Sequence, residues 1–417
     1  MGPFGRVLVL IFGISFMTFV TFFGRLPALR HTPIAGLYRL IWVHTPNVLL
    51  KIDQRVTAGR LSTSCASFGN YMMYDRHPTV VIFFVTTLAV AEMMFLPTAW
   101  PLMSLPVKIT GCLAIVCPYV FLYLACAADP GYVTEESLPH LMTLYPYDFI
   151  LFHPGRVCRT CNLPKPPRSK HCTVCKKCVA RSDHHCIFIN SCVGLGNHHY
   201  FLLLLLSTAI LTSYGGVLGM SLLSAHVHEN HPTWQLWKPN TTMSWTRWLG
   251  LFSIGIRQHL GLGASTLLAA MISPLIWGLF LYSLYLVYAG VTTNESLKWS
   301  EWKEDTRDGY AFARPLPTNR QIAGEPTWTR WPKLPATIMV TTDDAEPPLP
   351  EQQCPGVGEW ERPRSLRDVE NVYDIGFWGN LKDVFLVGHY HGSENGEPLS
   401  ERKRYDKRAA NGGRYPP

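Results

Sequence analysis

The sequence predicts an α-helical, polytopic membrane protein with a small cytosolic zinc module held between its third and fourth spans. Two observations carry that prediction. The 417 residues are 47% hydrophobic but only 16% charged, with a mean hydropathy of +0.08, a balance too apolar for an ordinary soluble domain. Between Cys158 and Cys192 one metal-ligand pattern, C-x2-C-x9-H-x6-C, is written twice, fourteen residues apart.

Five stretches have the length and apolarity of transmembrane helices: Val7–Phe23, Thr79–Leu96, Ile109–Ala128, Tyr200–Ala225 and Ser265–Gly290. The second contains a charge, Glu92, but its run from Val80 to Val85 favours insertion. The first ends in Phe22-Phe23-Gly24-Arg25, without the small-x-small cleavage site of a signal peptide, so a retained anchor is expected. The domain plan is then an anchor over 1–24, a cytosolic loop over 25–78, and two spans over 79–131. The zinc domain follows over 132–199, two more spans over 200–290, and a cytosolic tail over 291–417.

Loop charge sets the orientation, because basic residues stay on the cytosolic side. The first inter-span segment carries Arg25, Arg30, Arg39, Lys51, Arg55, Arg60 and Arg76, and the cysteine module is equally basic. The loop over 226–264 has only Lys238, Arg247 and Arg257 and contains the sequon Asn240-Thr241-Thr242, which suits the lumen. A second sequon at Asn294 falls on the cytosolic side and is expected to stay unmodified. Basic loops against an anionic leaflet account for the net charge of +8 without any nucleic acid.

In the tail, residues 314–363 are rich in Pro, Thr and Glu and read as an extended linker. Order returns at Asn371–Phe385, where Val372, Ile375, Phe377, Leu381 and Phe385 offer an apolar face. The closing basic stretch, with Arg402-Lys403-Arg404 and Lys407-Arg408, reads as a solvated or membrane-touching tail, with targeting as the alternative.

Each copy of the repeat supplies three thiolates and one imidazole, the donor set of a closed structural zinc site. Cys158, Cys161, His171 and Cys178 form the first set, and Cys172, Cys175, His185 and Cys192 the second. The offset is shorter than the motif, so the sites interleave. Disulfides are the weaker reading for a basic Cys/His-rich segment. Of seven cysteines in the window, only Cys186 is left over, directly after Asp183, His184 and His185. It is the candidate nucleophile, rigidly placed beside the ligand His185. His184 is the candidate general base and Asp183 the group that orients it. Arg168, Lys176, Lys177 and Arg181 either face coenzyme A phosphates or form a solvated or leaflet-facing surface.

The run from Cys158 through Pro167, His171-Cys172, Cys175, Cys178, Asp183-His184-His185-Cys186, Asn190, Cys192, Gly194, Asn197 and Phe201 resembles the DHHC-type protein S-acyltransferases. Asp129-Pro130-Gly131, Thr292-Thr293-Asn294-Glu295 and Asn371-Val372-Tyr373-Asp374 with Gly376, Asn380 and Phe385 stand where that family has further motifs. The resemblance implies a two-step transfer from palmitoyl-coenzyme A to Cys186 and then to a protein cysteine, with both zincs structural. Ile187-Phe188 replaces the usual Pro-Trp, and Ser191 a usual Asn. The extra N-terminal span and Ile187 look most like the fungal branch that acylates SNAREs and other proteins with cysteines beside a membrane span, which implies the endoplasmic reticulum. The competing class is a membrane zinc adaptor or RING-like ubiquitin ligase. Such a module has no use for a spare thiol beside a free histidine.

Overall fold

A computed structural model describes residues 3–24, 29, 31–236, 243–317, 319–349, 354–366 and 369–386. The sequon at Asn240 and the basic stretch 402–408 lie outside the described residues. The chain divides into two compact units, Met1–Asp75 and Arg76–Pro417.

The N-terminal unit is helical. Helix α1 covers Pro3–Phe23 and contains the first expected span. Residues expected to form a loop are helical too: α2 (Pro33–Arg39) runs through a π-helical turn, Leu40–His44, into α3 (Thr45–Thr57). A left-handed turn at Ala58 and Gly59 leads to α4 (Arg60–Tyr74). Asp53 closes that turn by accepting the Ser62 amide at 2.8 Å and bonding to the Thr57 hydroxyl.

In the second unit, α5 (Thr79–Ala99), α6 (Leu105–Ala127), α8 (His198–Asn230) and α10 (Leu260–Tyr288) follow the long apolar runs. A helix satisfies every backbone polar group within itself, which lipid requires. Among the described residues these four, with α5 prolonged to Leu102, are long and apolar enough to cross a membrane. Helix Pro3–Phe23, 21 residues long with Arg6 as its only charge, falls where the first of the five expected spans lies. At 33 residues, α8 is about 50 Å long, well beyond a bilayer's hydrocarbon thickness of roughly 30 Å. Helix α9 (Trp245–Gln258) occupies much of the segment between α8 and α10.

Between α6 and α8, after the short helix α7 (Leu138–Met142), lie two antiparallel hairpins. Strand β1 (Lys170–Cys172) pairs with β2 (Lys177–Val179), and β3 (His184–Cys186) with β4 (Ser191–Val193). The tail differs from the extended linker expected over 314–363. Helix α11 (Thr293–Asp308) leads into β5 (Ala311–Pro315), which pairs antiparallel with β6 (Thr337–Thr341). Leu316, Trp331, Ile338 and Met339 bury themselves with Phe149, Phe152 and Tyr373 in one core. A few large anchors spaced irregularly suffice for that core, so hydrophobic periodicity could not reveal it. Helix α12 (Phe377–Phe385) falls where order was expected to return.

Candidate active site

Strand geometry explains how one short stretch holds metal ligands and a spare thiol apart. Cross-strand pairing places His171 opposite Cys178 and His185 opposite Cys192, so each hairpin delivers two ligands of one set. The other two come from the turns at Cys158–Cys161 and Cys172–Cys175, where the second cysteine's amide points at the first one's sulfur at 3.5 and 3.3 Å. Each turn is followed by a left-handed residue, Asn162 (φ 54°) and Lys176 (φ 56°).

Both four-residue sets gather their ligand atoms within 4.8 Å of one another. Zn–S bonds of about 2.3 Å and Zn–N bonds of about 2.0 Å require tetrahedral edges of about 3.8 Å between sulfurs and about 3.5 Å from sulfur to nitrogen. The sulfurs of the first set lie 3.5, 3.4 and 3.8 Å from His171 Nδ1. In the second set they lie 3.6, 3.4 and 3.7 Å from His185 Nδ1, with Cys175 and Cys192 sulfurs 3.6 Å apart. The donors fit zinc in type, number and spacing, and interleave as expected.

Successive strand residues face opposite sides. His185 faces the second metal set, so His184 and Cys186 share the other face of β3. His184 Nδ1 bonds Asp183 Oδ2 at 2.6 Å, which leaves Nε2 for the thiol. Asp183 also accepts the Thr293 amide at 2.5 Å and the Thr293 hydroxyl at 3.0 Å. Burial alone would raise the Asp183 carboxyl, but these bonds and His184 hold it below the usual carboxylate range. Burial alone would lower His184; its bonds to Asp183 and to the Cys186 sulfur outweigh that and push it up to about 10, so the imidazole holds on to a proton once it has taken one from the thiol beside it.

Thr293 is one site residue for which sequence reasoning assigned no task. Its neighbour Thr292 donates to the Ser182 carbonyl at 3.1 Å and caps α11 together with Glu295. Glu295 in turn holds Arg168 through bonds of 2.8 and 2.7 Å. Arg168 is 1% exposed and also lies 3.7 Å from Asp383, which pairs with Arg181 at 3.0 Å and accepts from Tyr145 at 2.7 Å. The two arginines are therefore buried framework cations, not a phosphate-facing or leaflet-facing surface. Lys176 and Lys177, by contrast, remain at the surface, Lys177 over the Tyr132 ring.

Two glycines explain another motif. A Cβ on Gly194 or Gly196 would collide with the carbonyl oxygens of Pro130 and Asp129, so only glycine lets that loop cross the end of the third expected span so closely. Asn197 fastens the crossing with bonds from its amide to the Cys192 carbonyl at 2.9 Å and the Ala125 carbonyl at 3.3 Å. After Cys186, the turn through Ile189 and left-handed Asn190 (φ 47°) is held by Arg76, which donates to the Asn190 carbonyl at 3.0 and 2.7 Å.

On their shared face, His184 and Cys186 border a mostly apolar cavity of about 640 Å³ walled by α5, α6, α8 and α10. Phe84 packs edge-on against Phe188 at its wall. Glu92, the single charge of its span, also lines it and accepts from Tyr119 at 2.9 Å. The volume is in the range of small-molecule sites.

Residues 151–300 match the family model described as DHHC palmitoyltransferase. The chain is 49% identical to palmitoyltransferase SWF1 of Neurospora crassa, with 99% of each chain covered. It is 39% identical to palmitoyltransferase swf1 of Emericella nidulans, covering 94% of this chain and 98% of that one. With palmitoyltransferase swf1 of Schizosaccharomyces pombe the identity is 36%, over 93% of this chain and 98% of its relative.

Proposed function

Since the chain belongs to the DHHC palmitoyltransferase family and is a multi-pass membrane protein S-palmitoyltransferase, we propose that Cys186 is its acyl carrier, His184 its general base and Asp183 the residue that orients His184. The observation that carries this reading is the strand alternation that puts His184 and Cys186 on one face while His185 serves the metal set. His184 takes the thiol proton, and the Cys186 sulfur attacks the thioester carbonyl of palmitoyl-coenzyme A. The new carbon–sulfur bond replaces the old one, and coenzyme A leaves as a thiol once it receives that proton. A substrate cysteine then gives up its own proton and takes the acyl group, regenerating the Cys186 thiol. Asp183 keeps the base in one tautomer and stabilises the imidazolium. The cavity beside the thiol suits the alkyl chain, since its lining is mostly apolar.

The zincs are structural in this reading, their four-ligand sets leaving no open position. The module faces the cytosol, as the Lys/Arg bias supports, and the membrane is that of the endoplasmic reticulum, as the likeness to the fungal branch implies. Its substrates are membrane proteins with cysteines beside a span, SNAREs among them. Incubating the purified enzyme with palmitoyl-coenzyme A is expected to add one hydroxylamine-labile acyl group, mapped by mass spectrometry to Cys186. A stable adduct elsewhere, or none, would rule this carrier out. For orientation, glycosidase-sensitive modification is expected at Asn240, and modification at Asn294 instead would invert the topology.

A further inference from the structure

We propose that α3 and α4 form an interfacial helix pair that lies in an anionic lipid leaflet. On α3, Val48, Ile52 and Val56 recur four residues apart with Leu49 beside them, and these side chains are 53%, 51%, 75% and 60% exposed. Spacing of this kind puts them on a single helix face. Lys51 and Arg55, both exposed, border one edge of that face. On the flank of that face away from these cations, Asp53 is buried and tied to Ser62 of α4.

Helix α4 repeats the pattern with a milder polar face. Leu61 and Phe68, seven residues apart, are 61% and 64% exposed, while Thr63, Ser67 and Asn70 occupy the opposite side. Soluble surfaces rarely leave contiguous apolar stripes of this size open. An apolar face bordered by cations is the composition of a helix lying in the headgroup and acyl boundary. Charge selects lipid over a protein partner: the segment 31–74 carries Arg39, Lys51, Arg55 and Arg60 against the single acid Asp53, which is buried. A bilayer is always at hand, since only four residues separate Tyr74 from the first residue of α5. The choice of the anionic cytosolic leaflet rests on the orientation proposed above.

The test uses the full-length enzyme in vesicles of phosphatidylcholine with or without phosphatidylserine. A photo-crosslinking phenylalanine analogue replaces Val56, Phe68, Gln54 or Asn70, one at a time. Phospholipid adducts are expected at 56 and 68 and not at 54 or 70. Replacing Lys51 and Arg55 by Gln should lower the yield in the phosphatidylserine vesicles by about fivefold per cation, and leave it unchanged in the neutral ones. Adducts to protein at 56 and 68, whether to a substrate helix or to this chain, would overturn the proposal. So would equal lipid labelling at all four positions. Inverted glycosylation with lipid adducts intact would sink the orientation alone and leave the interfacial placement standing.

Discussion

The hairpins β1–β2 and β3–β4 are copies of one design, and only the second holds a thiol outside the metal sets. Lys170-His171-Cys172 and His184-His185-Cys186 occupy the same places, with His171 and His185 paired identically to Cys178 and Cys192. In the first hairpin the residue after the histidine, Cys172, opens the next metal turn. In the second, Cys186 opens a turn that ends on the same kind of left-handed residue, Asn190, but has Ile189 where the second cysteine would stand. Ile189 is 1% exposed and packs with Cys186 and Phe201. The third turn is thus built like a metal turn but lacks its second ligand, and Arg76 clamps it instead. A repeat that stops one ligand short leaves a thiol in ligand-grade geometry with no ion to bind.

That comparison can be broken most severely at its equivalent cysteines. Cys172→Ala removes a ligand, and is expected to lose zinc and stability on the order of 10 kcal/mol, the scale of structural zinc in small modules. Cys186→Ser should keep two zincs per chain by elemental analysis while abolishing acyl transfer. Zinc loss in the second variant would mean that the two cysteines are not distinct in role.

Next in size is the frame behind the second hairpin. Glu295→Ala strands the buried Arg168 cation, and breaking such a pair costs about 3–5 kcal/mol. Chemical denaturation should report that loss with zinc content preserved until the chain unfolds. A change under about 1 kcal/mol would show that Asp383 alone satisfies the arginine.

The smallest effect compares the residues before each hairpin histidine. His184→Ala should slow Cys186 acylation on the order of 10²-fold with both zincs retained, as removal of a general base predicts. Lys170→Ala, at the exposed equivalent position, should change neither rate nor stability beyond about 0.5 kcal/mol. If both variants behave alike, the difference between the hairpins lies in the thiol alone.

Much of this site was readable in the chain because metal ligation and strand pairing are written in spacing. Four identities recurring at one offset mark the two sets whose donor atoms the fold gathers, and the residue left over marks Cys186, the proposed carrier. The long apolar runs specify α5, α6, α8 and α10 for the same reason, although their ends moved by several residues. What spacing does not encode is long-range pairing. Arg168 and Arg181 look in sequence like any surface cations, and only their distant partners Glu295 and Asp383 make them interior residues. Thr293 likewise acquires its hold on Asp183 across 110 positions. The hairpin β5–β6 escaped because Pro-rich connections conceal anchors such as Trp331.

Helix α12 has a bearing on biogenesis. Asp383 follows Arg168 by 215 residues and Arg181 by 202, and it is the acid both arginines share. During synthesis the metal ligands emerge long before it, so the module can close around its ions early while those two cations still lack that counter-charge. The frame behind the Asp183–His184 pair is completed only when nearly the whole described chain has left the ribosome. A chain cut short before residue 383 is therefore expected to bind zinc without acquiring the finished scaffold.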